Sequence, residues 1–294
     1  MGKALADAFP ICRDTFAEAD EALGESLSRL IFEGPEDRLT LTENTQPAIL
    51  AVSTAACRLL ESRGLSPAYV AGHSLGEYSA NVAAGTFSFG DALRIVRRRG
   101  RYMQEAVPVG EGAMMAILGL DAEKVAQACA ESAGGEVVGP ANLNGAGQVV
   151  IAGARDAVKR AGERARAMGA RRVVPLPVSA PFHCALMKPA EERLAPELRA
   201  LAIRKPRVPV VANVDAELKR DAGAAIEALV QQVSAPVRWE AVVGRLASEG
   251  VTTYVEVGPG AVLSGLVRRI VREATAVSFE SPGDLAAVES ATYV

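Results

Sequence analysis

Apolar residues recur at the spacing of a buried helix from Ile49 to Leu60. Thr45 is positioned to cap a helix that has Pro47 in its first turn and ends near Gly64. The short apolar run 68–71 then predicts a strand. A helix of small residues follows, and we expect it to end at Gly85 because glycine readily adopts the left-handed conformation of a helix end.

A further helix is predicted to begin at Asp91 and to end before Pro108. The pattern changes beyond it, where apolar runs of strand length alternate with helical spacing. The predicted order is strand, helix, strand, strand, helix and strand, at residues 113–118, 121–131, 136–142, 148–152, 155–168 and 171–176. This β-α-β-β-α-β order is the ferredoxin-like pattern.

Strands and helices alternate again in the rest of the chain. The predicted elements are a helix from His183 towards Leu201, a strand at 208–211, helices at 222–233 and 236–249, a strand at 251–257 and a helix at 261–272. Such alternation predicts a parallel α/β sheet. We therefore expect a large α/β-hydrolase-like subdomain with a parallel sheet, built from residues 1–111 and 178–294. A ferredoxin-like subdomain of residues 112–177 is inserted into it.

Composition narrows the functional class. The chain has 294 residues, 49% of them hydrophobic, and a net charge of −3, so no overall positive field favours nucleic acid or an anionic membrane as a partner. No apolar run approaches the roughly 20 residues of a membrane span, and Asp7 interrupts any signal-like start, which predicts a cytoplasmic protein. The four cysteines lack metal-type spacing and only two histidines are present, which predicts free thiols and no metal.

The strongest chemical signal is the pentapeptide Gly-His-Ser-Leu-Gly at residues 72–76. It matches G-x-S-x-G, a sharp strand-to-helix turn that exposes a serine hydroxyl, and we expect both glycines to relieve Cβ clashes in the turn. Ser74 then needs a base. His73 would project away from it, which leaves His183. No Asp or Glu is marked by spacing as the group that orients this imidazole, so the third member stays open.

Several separated motifs carry a wider likeness in the same order along the chain. They lie at residues 72–80, 99–106, 142–144 with 147–153, 181–187 and 255–260. Together they resemble the bacterial malonyl-CoA:acyl carrier protein transacylases of fatty-acid synthesis. The likeness runs through nearly the whole chain, and several motifs in the right order are far more specific than any one of them.

The resemblance implies roles for individual residues. Ser74 would be the nucleophile, and His183 would be its base. The main-chain carbonyl of Gln232 would orient the imidazole, so no carboxylate would be needed. Arg99 would bind the free carboxylate of a malonyl group, a task that suits its planar fork of donors. The backbone N–H of Leu75 would be one oxyanion donor.

Neighbouring positions bear on specificity. Consecutive helical residues point about 100° apart, so we expect Arg97 and Arg98 to lie on a solvated face. The resemblance links Leu75 and Phe182 to malonyl rather than methylmalonyl use, since a bulky Phe182 leaves less room for a branch. Met103 is a further candidate for the same substrate pocket, although methionine on a helix is usually core.

The implied reaction takes malonyl-CoA and an acyl carrier protein as partners. The coenzyme A thioester is the substrate, and no cofactor is implied. Because carrier proteins are acidic, we expect basic residues near the mouth of the site to attract them, with Lys188 and the pair Arg204-Lys205 as candidates. Three alternatives stay open: a free-standing polyketide acyltransferase, a serine thioesterase or hydrolase, and an impaired non-catalytic form.

The last alternative comes from the start of the sequence. Members of the resembled family begin with a strand and a Gly-Gln-Gly-Ser-Gln loop, whereas this sequence begins with Met1-Gly2-Lys3. One oxyanion donor of the family belongs to that loop, and losing one donor typically costs about 10²–10³ in kcat. We therefore expect a chain extended by this strand and loop to be faster and more stable.

Overall fold

The computed structural model describes residues 1–178 and 180–292. The described helices are α1 (Lys3–Ala8), α2 (Pro10–Leu23), α3 (Leu27–Glu33), α4 (Glu36–Leu39), α5 (Thr42–Ser62), α6 (Leu75–Ala84), α7 (Phe89–Glu105), α8 (Ala122–Ser132), α9 (Arg155–Ala167), α10 (Lys188–Arg199), α11 (Ala222–Gln232), α12 (Trp239–Ser248), α13 (Val262–Ile270) and α14 (Leu285–Thr292). The described strands are β1 (Val70–Ala71), β2 (Gly112–Leu118), β3 (Val138–Gly145), β4 (Gln148–Ala154), β5 (Arg172–Pro175), β6 (Val210–Val211), β7 (Leu218–Lys219), β8 (Thr253–Val257) and β9 (Thr275–Phe279). The protein is a mixed α/β structure with open sheets.

The strands form three separate sheets. In the first, β1 pairs in parallel with β6, and β6 pairs antiparallel with β7. In the second, β8 and β9 pair in parallel over five residues each. The third has the order β3-β4-β2-β5, and all its neighbouring strands are antiparallel. Residues 275–292, which lie beyond the last predicted element, include β9 and α14.

The two largest clusters of buried hydrophobic residues in the described part of the chain hold many of the elements together. The larger is helical and centres on α5, which packs against α7, α2 and α6. The smaller joins α8 and α9 to one another and to β2–β4. None of the helices in the described ranges combines the length and apolarity needed to cross a bilayer.

Three helix starts differ from the sequence predictions. α5 begins three residues before Thr45, whose hydroxyl donates to the carbonyl of Leu39 at 2.6 Å instead of capping the helix. α7 begins two residues before Asp91, because the Ser88 hydroxyl accepts the Asp91 backbone N–H at 3.1 Å. His183 precedes its helix and lies in a loop with a φ of 60°.

α5 and α7 approach most closely at Gly100. A Cβ on this residue would lie 2.6 Å from both the Glu43 Cα and the Thr42 carbonyl oxygen. Glycine therefore lets the two backbones meet. The contact matters for the site because Arg99, the preceding residue of α7, and Gln46, one turn along α5, are hydrogen-bonded to each other.

Replacing Gly100 by alanine is expected to destabilise the protein. The added methyl has only backbone atoms to displace, and overpacking of this kind costs about 1–3 kcal/mol. Gly244→Ala on α12 is the matched control, because no atom lies within 4 Å of its Cβ position and Gly→Ala in an exposed helix stabilises by about 0.5–1 kcal/mol. Urea unfolding of both variants measures the two effects. Equal shifts of the same sign would contradict this account of the contact.

Candidate active site

Ser74 lies at a strained turn between β1 and α6. Its φ is 51° and its ψ is −105°, a conformation that is costly for a residue with a side chain. Gly72 makes the turn possible, since a Cβ there would lie 2.0 Å from the backbone of Gly76. The expectation that both glycines relieve clashes is wrong for Gly76, which has open space at its own Cβ position.

Asn213, just after β6, holds this turn from the adjacent strand. Its side-chain oxygen accepts the backbone N–H of Ser74 at 2.8 Å, and its side-chain nitrogen donates to the carbonyl of Gly72 at 2.8 Å. Asn213 is fully buried. The sequence motifs do not identify this residue. The available signal is an asparagine two residues after a predicted strand of the same sheet.

His183 and Ser74 form a hydrogen-bonded pair. The Ser74 hydroxyl donates to Nε2 of His183 at 2.7 Å, and Nδ1–H of His183 donates to the main-chain carbonyl of Gln232 at 3.0 Å. A backbone carbonyl thus occupies the position where many serine enzymes have a carboxylate. Burial, followed by the charge of Arg99, lowers the pKa of His183 to about 3, so the imidazole is neutral at physiological pH.

Arg99 lies beside the serine, and its side chain is buried with only 2% exposure. One terminal nitrogen donates to Ser74 Oγ at 3.1 Å and to Oε1 of Gln232 at 2.9 Å, and the other donates to Oε1 of Gln46 at 2.6 Å. Within residues 1–178 and 180–292, Arg99 forms no ion pair, and its buried Nε has no hydrogen-bond partner. Burial lowers its pKa. Because Arg99 has no direct carboxylate contact among the described residues, it is suited to bind an anionic ligand.

The neighbouring arginines lie on the outer face of α7, as the helical spacing predicted. Arg97 pairs with Glu25, and Arg98 pairs with Glu197 at 2.5 Å. Only Arg99 of the three consecutive arginines points into the site.

Glu77 is a second buried ionisable group that the sequence analysis did not identify. It lies in the first turn of α6 with 1% exposure. Its carboxylate accepts the backbone N–H of Asn213 at 3.0 Å and the side-chain N–H of Gln232 at 2.7 Å. Burial raises its pKa to about 7, against the opposing effects of these hydrogen bonds and of Arg99. Helical spacing alone does not distinguish such a residue from an exposed glutamate.

The remaining candidates occupy different surroundings. Leu75 is the first residue of α6, and its N–H has no acceptor within the helix. Met103 is one turn beyond Arg99 with 1% exposure, as part of the larger core. Phe182 is half-buried beside His183 and packs against both the larger core and a small cluster around Cys184.

The basic residues that were expected to attract the carrier protein lie in different parts of the structure. Lys188 begins α10, near His183, and its side chain is 57% exposed and pairs with Glu191. Arg204 is hydrogen-bonded through its backbone to Thr86, beyond the far end of α6. Since α6 has 10 residues and a helix rises 1.5 Å per residue, the Arg204-Lys205 pair lies about 15 Å from the serine end of this helix. Its expected place at the mouth of the site is therefore wrong.

The site also involves β3. The ring of His73 points away from Ser74 and is hydrogen-bonded to the side chain of Asn144 at 2.9 Å. The backbone of Val237 bonds to Ala141 and Leu143 on the same strand. No group of three or more metal-binding side chains occurs among the described residues.

Comparison with known proteins agrees with this geometry. The family model described as "Acyl transferase domain" matches residues 1–288. The chain belongs to the acyl transferase domain family. Among its relatives, the malonyl CoA-acyl carrier protein transacylase of Salmonella typhimurium is 52% identical over 284 residues, which are 96% of this chain and 92% of the relative. The transacylase of Bacillus subtilis is 48% identical over 96% of this chain and 89% of its own.

Solved acyltransferase structures have the same fold. The crystal structure of an acyl carrier protein S-malonyltransferase from Vibrio cholerae matches with a TM-score of 0.96 and 48% identity, over 98% of this chain and 94% of that one. A structure of a malonyl-transacylase in complex with its type II PKS acyl-carrier protein matches with the same TM-score, identity and coverage. These relatives confirm the resemblance that the sequence motifs indicated.

The two glycines of the turn are expected to respond differently to substitution. Gly72→Ala should abolish acyl transfer or prevent folding, because its methyl group would overlap the backbone of Gly76. Gly76→Ala should retain folding and most activity, since its methyl group enters open space. Circular dichroism and an acyl-transfer assay on both variants check this. A strong loss in Gly76→Ala with an intact Gly72→Ala would reverse the assignment.

Proposed function

We propose that Ser74 carries a malonyl group as an ester, taken from malonyl-CoA and passed to the phosphopantetheine thiol of an acyl carrier protein. The observation that carries this proposal is the buried guanidinium of Arg99, 3.1 Å from the Ser74 hydroxyl and without a carboxylate partner among the described residues. An acyl group with its own carboxylate supplies a direct ionic partner for Arg99. The relatives are malonyl transferases, and the function of this chain is accordingly S-malonyl transfer.

The first half-reaction acylates the serine. His183 Nε2 accepts the Ser74 proton while the oxygen attacks the thioester carbonyl. The oxyanion forms next to the N–H of Leu75, which has no helical acceptor. The tetrahedral intermediate then collapses, and the proton on His183 leaves with the coenzyme A thiol. In the second half-reaction the carrier thiol gives its proton to His183 and attacks the ester carbonyl. The bond to the Ser74 oxygen then breaks, His183 returns the proton to that oxygen, and the malonyl thioester of the carrier leaves.

The malonyl carboxylate has a second effect on the dyad. The charge of Arg99 is one cause of the lowered pKa of His183, after burial. When a carboxylate binds Arg99, this contribution is offset and the basicity of the imidazole rises. A substrate with the correct charge thereby strengthens the base, whereas an uncharged acetyl group does not.

Several finer assignments belong to the same proposal. Residues 112–177 form the inserted ferredoxin-like subdomain, supported by the sheet order β3-β4-β2-β5 with α8 and α9 packed on it. Residues 1–111 and 178–294 form the α/β-hydrolase-like subdomain, supported by the parallel pair β1 and β6 that leads into the serine turn. The cycle uses the coenzyme A thioester as substrate and needs no cofactor. We assign the protein to the cytoplasm, since its four cysteines are free thiols.

Intact-mass measurement after mixing with malonyl-CoA tests the nucleophile. The wild-type protein is expected to gain one malonyl group and to lose it when holo acyl carrier protein is added. Ser74→Ala should fold normally and show no adduct, because its oxygen is the acceptor of the acyl group. An adduct of unchanged yield on this variant would rule out Ser74.

Arg99→Ala tests the basis of selectivity. Truncating one member of a buried charge pair costs about 2–5 kcal/mol, which predicts a loss of roughly 30-fold or more in kcat/KM for malonyl-CoA. The loss with acetyl-CoA should be at least ten-fold smaller, because acetyl has no carboxylate to lose. Arg98→Ala is the control on the same helix, with an exposed side chain, and should leave both rates within about two-fold. Equal losses with both donors in Arg99→Ala would show that Arg99 only supports the fold.

A further inference from the structure

A continuous hydrogen-bond relay connects the buried cation of the site to the buried carboxylate of Glu77. Arg99 donates to Oε1 of Gln232 at 2.9 Å, and Nε2 of the same amide donates to the Glu77 carboxylate at 2.7 Å. Gln232 is fully buried, and Glu77 and Arg99 are 1% and 2% exposed. The two charges are therefore separated by one amide group and no bulk water.

The orientation of the Gln232 amide is fixed at both ends. Its nitrogen has two close acceptors, the main-chain oxygen of Ser74 at 2.9 Å and the Glu77 carboxylate, and a third, Oδ1 of Asn213, at 3.5 Å. Its oxygen faces the Arg99 donor. A reversed amide would place its NH₂ group against the guanidinium and its oxygen against two acceptors. The amide dipole is thus aligned between cation and anion, which stabilises both charges.

Other charged groups around Glu77 are few. Arg99 on α7 favours its anionic form, and Asp215 in the turn after β6 disfavours it. The residue of α11 that contacts Glu77 is the neutral Gln232. Its main-chain carbonyl also accepts a hydrogen bond from the neutral His183. In the described part of the chain, Glu77 is therefore the carboxylate that the geometry links to Arg99.

We propose that Glu77 is the counter-ion of Arg99, acting through Gln232 as a positioning residue, and that it takes up a proton when a substrate carboxylate binds Arg99. This inference rests on the proposed malonyl transfer. The physical reason is charge balance: one buried cation stabilises one anion, and a second anion at the same cation makes the first one costly. The substrate carboxylate is the stronger acid of the two, so Glu77 becomes protonated.

The proton balance of the reaction makes this event measurable. During acylation the serine proton leaves with the coenzyme A thiol, so this step neither consumes nor releases a proton at neutral pH. Any proton taken up comes from solution and goes to the protein. Burial raises the pKa of Glu77 to about 7, so the carboxylate form is present near neutral pH, and malonyl binding should cause a net uptake of up to one proton per malonyl group.

The experiment is a single-turnover mixing of the full chain with malonyl-CoA or acetyl-CoA in weak buffer at pH 7, followed with an indicator dye. The adduct formed in each case is quantified by intact mass, so that uptake is expressed per acyl group. We expect a net uptake of at most one proton per malonyl group and none per acetyl group. Equal proton changes per adduct with the two donors would overturn the inference without any variant.

Glu77→Gln identifies the group that is protonated. This variant keeps an oxygen that accepts from Asn213 and Gln232, so we expect it to fold and to form the malonyl adduct without proton uptake. Glu197→Gln is the control, because it alters a partly buried carboxylate bonded to Tyr102 of α7, outside the site, and should retain the uptake. Unchanged uptake in Glu77→Gln overturns the inference while leaving malonyl transfer intact. Absence of a malonyl adduct on the wild-type protein overturns the proposed function, and the inference with it.

Discussion

The arrangement of the site depends on one buried positive charge. Removing a guanidinium from water is costly unless its donors are satisfied, and Arg99 meets this requirement mainly with neutral oxygens from Gln46, Gln232 and Ser74. Each of these contacts fixes a different element relative to α7. The close backbone approach at Gly100 brings α5 into reach. The same geometry that makes the charge tolerable leaves it available for a carboxylate of the substrate.

Both reacting residues are held in backbone conformations that side chains rarely adopt. Ser74 has a φ of 51° and His183 has a φ of 60°. Such strain persists only where the surroundings determine the conformation. Asn213 bonds the backbone on both sides of His73, and the carbonyl of Gln232 fixes the imidazole. The serine hydroxyl and the imidazole therefore meet at 2.7 Å without a substrate to bring them together.

Sequence reasoning found the chemical groups better than it found what holds them. The serine turn, the histidine and the inward arginine follow from short motifs and helical spacing. α6 ends at Gly85 as predicted, because the left-handed φ at this helix end favours glycine. Asn213 and Glu77 were missed, since their roles depend on contacts between residues 136 and 139 positions apart. α7 begins earlier than expected. Ser88 and Asp91 are both residue types that cap helices, and in the structure Ser88 is the cap. β7 has only two residues, too few to show the alternation of apolar and polar positions from which a strand is predicted.

β3 also contacts the serine turn and helps to form the site. His73 lies two residues after β1 and is hydrogen-bonded to Asn144, while the backbone of Val237 bonds to β3. The residue before the nucleophile is therefore tied to one sheet and the nucleophile itself, through Asn213, to another. Movement of one sheet relative to the other would act on adjacent peptide units of the turn. The packing of β3 against the serine turn is accordingly part of what holds the dyad in place.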